Sequence, residues 1–307
     1  MDRLHLMAVF VAVCEAESFN GGARRLGMSP PAVTRAVAAL ETRLGVKLLQ
    51  RSTRMVRVTE AGQRYLDDAR RILEEVDEAD EAAAGINAIP RGQLTLTVPV
   101  LFGKMFVMPG VVDYLNRYPE VEVSALFLDR VVNLLEEGVD VAVRIGPLPD
   151  SSLRAIKVGQ VRRVLCASPA YLAAHGAPTT PQDLQGRTII AATAVSPMVE
   201  WKFGPETAPS AIKLRPRLTV SSNDAAIEAA RAGLGITRLM SYQISPHLAS
   251  GELQILLPDY ENAPLPIHIV HRENKYGSAK VRSFIDLLAE RLRADPHLNG
   301  TSSEVVT

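Results

Sequence analysis

Apolar residues open the chain at three- and four-residue steps. Leu4, Met7, Val11 and Cys14 share the period of one helix face, which predicts a first helix over residues 2–16. Asn20 has the side chain of an N-cap for a short second helix carrying Ala23 and Leu26, and Gly27 can take the left-handed conformation that closes it. Ser29 caps a third helix whose first turn accepts Pro30 and Pro31, because N–H groups there have no intrahelical partner. Val33, Val37, Leu40 and Leu44 form its buried stripe. Two short β-type runs, 46–49 and 55–58, are joined by Gln50-Arg51-Ser52-Thr53-Arg54. Thr59 then caps an uninterrupted helical pattern in which Leu66, Ala69, Leu73, Val76 and Ala83 keep heptad spacing, with Asp80 at one seam position.

After the breaker Ile89-Pro90-Arg91-Gly92 the period alternates between two and 3.6. Strands are predicted at 93–98, 121–128, 139–145, 217–221 and 267–270, and helices at 106–118, 131–137 and 223–232. Val281, Phe284, Ile285, Leu288 and Leu292 stripe a final helix, and the tail from Asp295 is expected to be disordered. The alternation predicts an α/β domain with a mainly parallel sheet. The expected organisation is therefore a helix-rich module (1–58), a linker helix (59–88), a hinge (89–92), an α/β domain (93–294) and a tail (295–307).

Length changes the picture little: 307 residues exceed what one core usually serves, in keeping with more than one domain. Charge changes it more. The net charge is zero, yet residues 1–64 hold ten bases against five acids and residues 65–88 eight acids against two bases. A basic first module followed by an acidic segment points to a polyanionic partner for the first alone. Cys14 and Cys166, the two cysteines, lack metal-ligand spacing and read as buried thiols. No apolar run approaches ~18 residues, so no membrane partner is expected, and the amphipathic start does not read as an export signal, so the expected location is the cytoplasm.

Two helices joined by Gly27-Met28 form a helix-turn-helix, whose second helix enters the major groove of double-stranded DNA. Its exposed face would carry Pro30, Pro31, Thr34, Arg35 and Ala38, with Thr34 and Arg35 placed to read base edges. The two β-type runs make a wing. Arg51 and Arg54 at its tip are candidates for phosphate or minor-groove contact, unless one pairs with an acid of its own module. A long helix with a narrow seam through Leu66, Ala69, Leu73 and Val76 calls for a partner helix, and reads as a dimerisation element.

The stretch SFNGGARRLGMSPPAVTRAVAALETRLGVKLLQRSTRMVRVTEAGQRYL closely resembles the LysR-type transcriptional regulators, and EEGVDVAVRIGPLPDSSL, AGLGI and AKVRSFIDLL extend the likeness along the chain. The resemblance implies a winged helix-turn-helix, an antiparallel pair of linker helices and a two-lobed effector domain built like periplasmic binding proteins. It also implies a tetramer, as a dimer of dimers, on promoter DNA, where an effector between the lobes alters DNA bending and contact with RNA polymerase. Two departures stand out. Gly21 and Gly22 replace the family's usual alanine and Pro30 a common glutamine; and 99–103 lacks the hydroxyl that often follows the first effector-domain strand.

For the effector, Arg144 ends an apolar strand, where a charge is either paired, here with Asp129 or Asp140, or engaged with ligand. Gly146 would let a ligand approach the backbone, and Val100, Leu101 and Phe102 offer an apolar entrance. Ser221, Ser222 and Asn223 either cap the following helix or bind an anion, and Phe102 and Trp201 either line a cleft or fill the core. A small, largely apolar effector, aromatic or with at most one negative charge, fits this set. His268 and His271, three apart on a strand, cannot chelate one metal, and neither metal nor cofactor is expected. Asp150, Ser151, Ser152 and His175 supply residue types for nucleophilic catalysis without a nucleophile elbow, and Gly233-Leu234-Gly235 lacks the third glycine of a dinucleotide fingerprint; no enzyme is expected.

Overall fold

The computed structural model describes residues 2–51, 56–84, 89–134, 136–149, 153–192, 198–205, 210–272 and 278–299. The chain divides into an N-terminal unit through residue 88 and a C-terminal unit beyond it.

In the N-terminal unit, α1 (Arg3–Glu15), α2 (Phe19–Arg25) and α3 (Pro30–Leu44) surround a core of Leu6, Val9, Phe10, Val13, Ala23, Val33, Ala36, Val37 and Leu40. The core face of α1 is thus turned from the one its spacing suggested: Leu4 and Val11 are only half-buried, while Leu6, Val9 and Phe10 point inward. An almost continuously apolar helix leaves its orientation to its neighbours. The N-cap of α2 is Ser18, whose Oγ accepts the Gly21 N–H at 3.2 Å; Asn20 lies inside the helix. Gly22 has a steric reason: a Cβ there would sit 2.9 Å from Val13 Cγ2, so its absence lets α2 press against α1.

Ser29 occupies the N-cap position of α3 without a side-chain capping bond. The wing is β1 (Leu49–Arg51) paired antiparallel with β2 (Val56–Val58), so Gln50 and Arg51 belong to a strand rather than the turn, and 46–48 do not. Buried Glu41 displaces them. Its carboxylate accepts the N–H groups of Leu48 and Leu49 at 3.0 and 3.2 Å and Lys47 Nζ at 2.6 Å, holding this segment against α3. Thr59 Oγ1 accepts the Gly62 N–H at 2.9 Å where α4 (Glu60–Ala84) begins. Residues 85–88 of the expected linker lie outside the described residues.

The C-terminal unit has two lobes. The first is a sheet ordered β4 (Val121–Phe127), β3 (Gly92–Val98), β5 (Val141–Ile145), β14 (Leu265–Arg272), β6 (Leu153–Val161). The second is ordered β11 (Leu218–Val220), β8 (Ile189–Ala192), β12 (Ile236–Met240), β7 (Arg163–Ala167), β13 (Gln254–Leu256), beside the β9 (Val199–Phe203) and β10 (Ser210–Leu214) hairpin. Both sheets are mixed rather than mainly parallel. β3 runs parallel to β4 and β5, but β14, returning from the other lobe, runs antiparallel to β5 and β6. Where the chain crosses between lobes, Arg162 and Glu261 pair at 3.1 Å and tie the two crossovers together.

Helix begins directly after β3, as α5 (Val100–Phe102), a π-helical turn (Gly103–Val107) and α6 (Met108–Arg117), earlier than the spacing suggested. The expected helix at 131–137 does not form; its described residues make irregular chain and turns that bury Val132 and Leu134 under the sheet. Tertiary packing here overrides a short local pattern. In the second lobe follow α7 (Pro169–His175), α8 (Asn223–Arg231) and α9 (Ser241–Ala249), and α10 (Ala279–Ala294) returns to the first lobe's core. The first residues of the tail, expected to be disordered, instead form α11 (Pro296–Asn299), because Leu298 buries its side chain beside β6 and Asn299 donates to the carbonyls of Leu292 and Arg293. Residues 300–307 lie outside the described residues.

Candidate DNA-reading face and effector pocket

Gly27 adopts the left-handed conformation, with φ +62°, that turns the chain from α2 into α3. With Val33, Ala36, Val37 and Leu40 inward, α3 turns the remaining side outward. Pro30, Pro31 and Arg35 are exposed there, and Thr34 and Ala38 half-buried. Among the described residues Arg35 has no acidic partner; its Nε donates to the Pro31 carbonyl at 3.4 Å, which leaves the guanidinium able to turn toward a base edge. Arg51 ends β1, and Arg54 lies outside the described residues.

The seam of α4 divides in two. Leu66 (5% exposed) and Ala69 (0%) are consumed by the module's own core against α1, so they are not available to a partner helix. Leu73 and Val76, a turn or more further on, are half-buried.

In the C-terminal unit the residues expected around the effector do not gather in one place. Phe102 is fully buried, 4.9 Å from the Phe106 ring and 5.4 Å from Tyr242 of the second lobe, so it fastens the lobes instead of opening a cleft. Val100 and Leu101 keep partial exposure. The period of two sends Val143 and Ile145 to the core that holds Phe102 and sends Arg144 to the opposite face, across from His268. Arg144 pairs with neither Asp129 nor Asp140: one nitrogen donates to the Val143 carbonyl at 3.2 Å, and Nη2 is buried without a partner. Burial holds its pKa below the ordinary value. Asp140 instead accepts the Thr95 N–H. Gly146 has φ +112° and open space where a side chain would stand.

Asp129 reaches across to the start of α5. Its Oδ1 accepts the Val100 N–H at 3.0 Å at the start of α5, and its Oδ2 accepts the Asn223 amide of the second lobe at 3.2 Å. Ser222 caps α8 through the Ala225 N–H, and exposed Ser221 makes no such bond. Trp201 is 8% exposed and part of a core, yet it also borders a cavity.

That cavity, about 270 Å³, lies in the second lobe and is lined by Arg163, Trp201, Asn223, Arg238, Met240 and Gln243. Arg163 and Arg238 escaped the sequence reading, although Arg163 opens an apolar strand and Arg238 interrupts one. That signal could have found them singly; their proximity comes only from pairing β7 with β12.

The remaining candidates resolve into structure. Burial raises the thiol pKa of Cys14 to about 11 and of Cys166 to about 12. His175 stacks on Tyr171 and bonds its carbonyl; Asp150, Ser151 and Ser152 lie outside the described residues. Among the described residues no group of three or more His, Cys, Asp or Glu gathers as a metal site, and no helix is long and apolar enough to cross a membrane.

Residues 4–63 match the bacterial regulatory helix-turn-helix family of lysR type, and residues 87–293 the LysR substrate-binding domain. The chain is 33% identical over 307 residues to a probable HTH-type transcriptional regulator, LtrA, of Klebsiella pneumoniae, covering 99% of this chain and 98% of that protein. The structure of CrgA, a LysR-type regulator from Neisseria meningitidis, is similar with a TM-score of 0.61 at 32% identity, over 95% of this chain and 99% of that one. The full-length Vibrio cholerae virulence activator AphB gives a TM-score of 0.58 at 27% identity, over 94% and 99%.

Proposed function

The chain belongs to the LysR family of DNA-binding transcriptional regulators, which are not enzymes, and from that premise we propose how its own residues divide the work. Thr34 and Arg35 read base edges in the major groove, flanked by Pro30, Pro31 and Ala38, while Arg51 and Arg54 hold phosphates or the minor groove from the wing. Half-buried Leu73 and Val76 continue the α4 seam toward a second copy, and two such dimers make the tetramer that meets RNA polymerase on promoter DNA in the cytoplasm. A small-molecule effector held by the C-terminal unit adjusts how the DNA is bent. The observation that carries this reading is the outward face of α3, where Arg35, without an acidic partner among the described residues, stands beside Thr34 near the start of the second helix of the helix-turn-helix.

The test is a set of binding isotherms at several salt concentrations, on a site selected from random DNA by the wild-type protein and on unselected DNA. Arg35→Ala lowers affinity for the selected site by ~1–3 kcal/mol with little change elsewhere. Arg51→Ala and Arg54→Ala weaken binding to all sequences and reduce the salt slope by about one ion. Identical behaviour of the three variants refutes the division of roles.

A further inference from the structure

Arg163 lies directly opposite Met240 in the β7–β12 pairing, and Arg238 lies two residues before Met240 on the same strand. Alternation along a strand therefore puts both guanidinium groups on one face of the sheet, as diagonal neighbours ~7–8 Å apart at Cα. The β9 strand covers that face. Arg238 donates to the Lys202 carbonyl and to Asn262 Oδ1, each at 2.6 Å, and lies 5.0 Å over the Phe203 ring. Arg163 has no hydrogen-bond or ion-pair partner among the described residues.

The electrostatics of the pair are uncompensated. Partial burial lowers the pKa of Arg163, and burial followed by repulsion from Arg163 lowers that of Arg238 to about 10; among the described residues no carboxylate offsets either shift. Glu200 lines the same cavity but forms no ion pair with either arginine, so the lining keeps a net positive charge. Arg163 keeps its side chain open to solvent beside half-buried Arg238, so two like charges share the mouth of the cavity, and an anion placed between them relieves their repulsion. Arg238 already has a structural role. Arg163, without a side-chain partner among the described residues, has none assigned to it.

We infer that the cavity between Arg163, Arg238 and Trp201 binds the carboxylate of a small organic anion, its compact apolar body lying against Trp201 and Met240. At about 270 Å³ the cavity falls just below the ~300–1,000 Å³ of typical ligand pockets, a volume suited to a small occupant. Asn223 and Gln243 supply neutral polar contacts on the wall. Asn223 also holds Asp129 of the first lobe, so an occupant meets the residue that joins the two lobes. This inference rests on reading the C-terminal unit as an effector sensor and names the chemistry sensed.

Trp201 is the chain's single tryptophan, so its fluorescence reports the pocket directly. The full-length protein is titrated into the millimolar range at constant ionic strength with benzoate, phenylacetate and hexanoate, and with benzamide, phenylacetamide and hexanamide. At least one carboxylate gives a saturable change that its amide does not. Arg163→Met weakens that binding tenfold or more, Arg163→Lys restores part of it, and Arg144→Met leaves it unchanged. Thermal melts confirm that each variant is folded, which an exposed, unpartnered Arg163 predicts. Silence toward all three carboxylates, equal response to the amides, or binding that survives Arg163→Met overturns the pocket. DNA binding measured in parallel separates the two readings. A carboxylate that alters DNA affinity without Arg163 defeats the pocket and spares the sensor; Arg163-dependent binding that leaves DNA affinity unchanged supports the pocket and defeats the sensor.

Discussion

Asp129 in the first lobe accepts the Asn223 amide of the second at 3.2 Å, while its other carboxylate oxygen holds the Val100 N–H at 3.0 Å. One side chain thus closes the start of α5 and bridges the lobes. Asp129→Ala loses both bonds and is expected to destabilise by ~1–2 kcal/mol, the range for a lost helix cap. Asn223→Ala leaves the Val100 bond intact and costs less, ~0.5–1 kcal/mol. Amide hydrogen exchange separates them: the Val100 amide exchanges faster in the first variant only, and equal acceleration in both shows that the bond to Val100 does not hold α5.

Glu41 makes the N-terminal module sensitive to acid. Burial by itself raises its pKa, but hydrogen bonds from Lys47 and from the Leu49 and Leu48 N–H groups, with the Lys47 charge, more than reverse that, leaving it below the ordinary 4.5. A carboxylate with a depressed folded pKa stabilises above its unfolded value and loses that contribution as pH falls through the folded one. Denaturant melts should show the module weakening below pH 4.5, with a flatter profile in Glu41→Gln. Glu41→Ala leaves two backbone donors unpaired and should cost about 2–3 kcal/mol at neutral pH. A Glu41→Gln profile as steep as wild type places the acid-labile group elsewhere.

Leu66 and Leu73 occupy one heptad seam and should behave differently. Leu66, 5% exposed in the module's core, should lose ~2–5 kcal/mol as Leu66→Ala without changing how chains associate. Leu73→Glu should separate the chains while the module melts as before. Sedimentation and thermal melts read both effects, and monomers from Leu66→Ala with an unaltered melt would reverse the assignment.

Leu298, 1% exposed beside β6, should make the chain's last described helix part of the first lobe's stability. Leu298→Ala is expected to cost ~2–4 kcal/mol and to speed amide exchange in β6. An unchanged melt shows that α11 rests on the lobe without contributing to it.

Local chemistry was enough to expose the helix-turn-helix, because Gly27, the proline start of α3 and the polarity of charge act over a few residues. The same signals carried the resemblance that the family match bears out, and they picked out the outward face of α3. Local signals misled where a neighbour decided the outcome. The face of α1, the missing helix at 131–137 and the ordered α11 all depend on a core assembled from elsewhere in the chain.

The effector side lay further from view for the same physical reason. Sequence alone determined that Arg144 ends an apolar strand, and that Phe102 and Trp201 could serve either core or cleft. Only the tertiary structure decided which of them meet. Strand register turned Arg144 away from Phe102, the lobe contact with Tyr242 buried Phe102, and the β7–β12 pairing joined two arginines that stand 75 positions apart in the chain. Side chains distant along a chain become neighbours through backbone hydrogen bonds that carry no local signature, so a charge visible in the sequence acquires its partners only when the sheet closes.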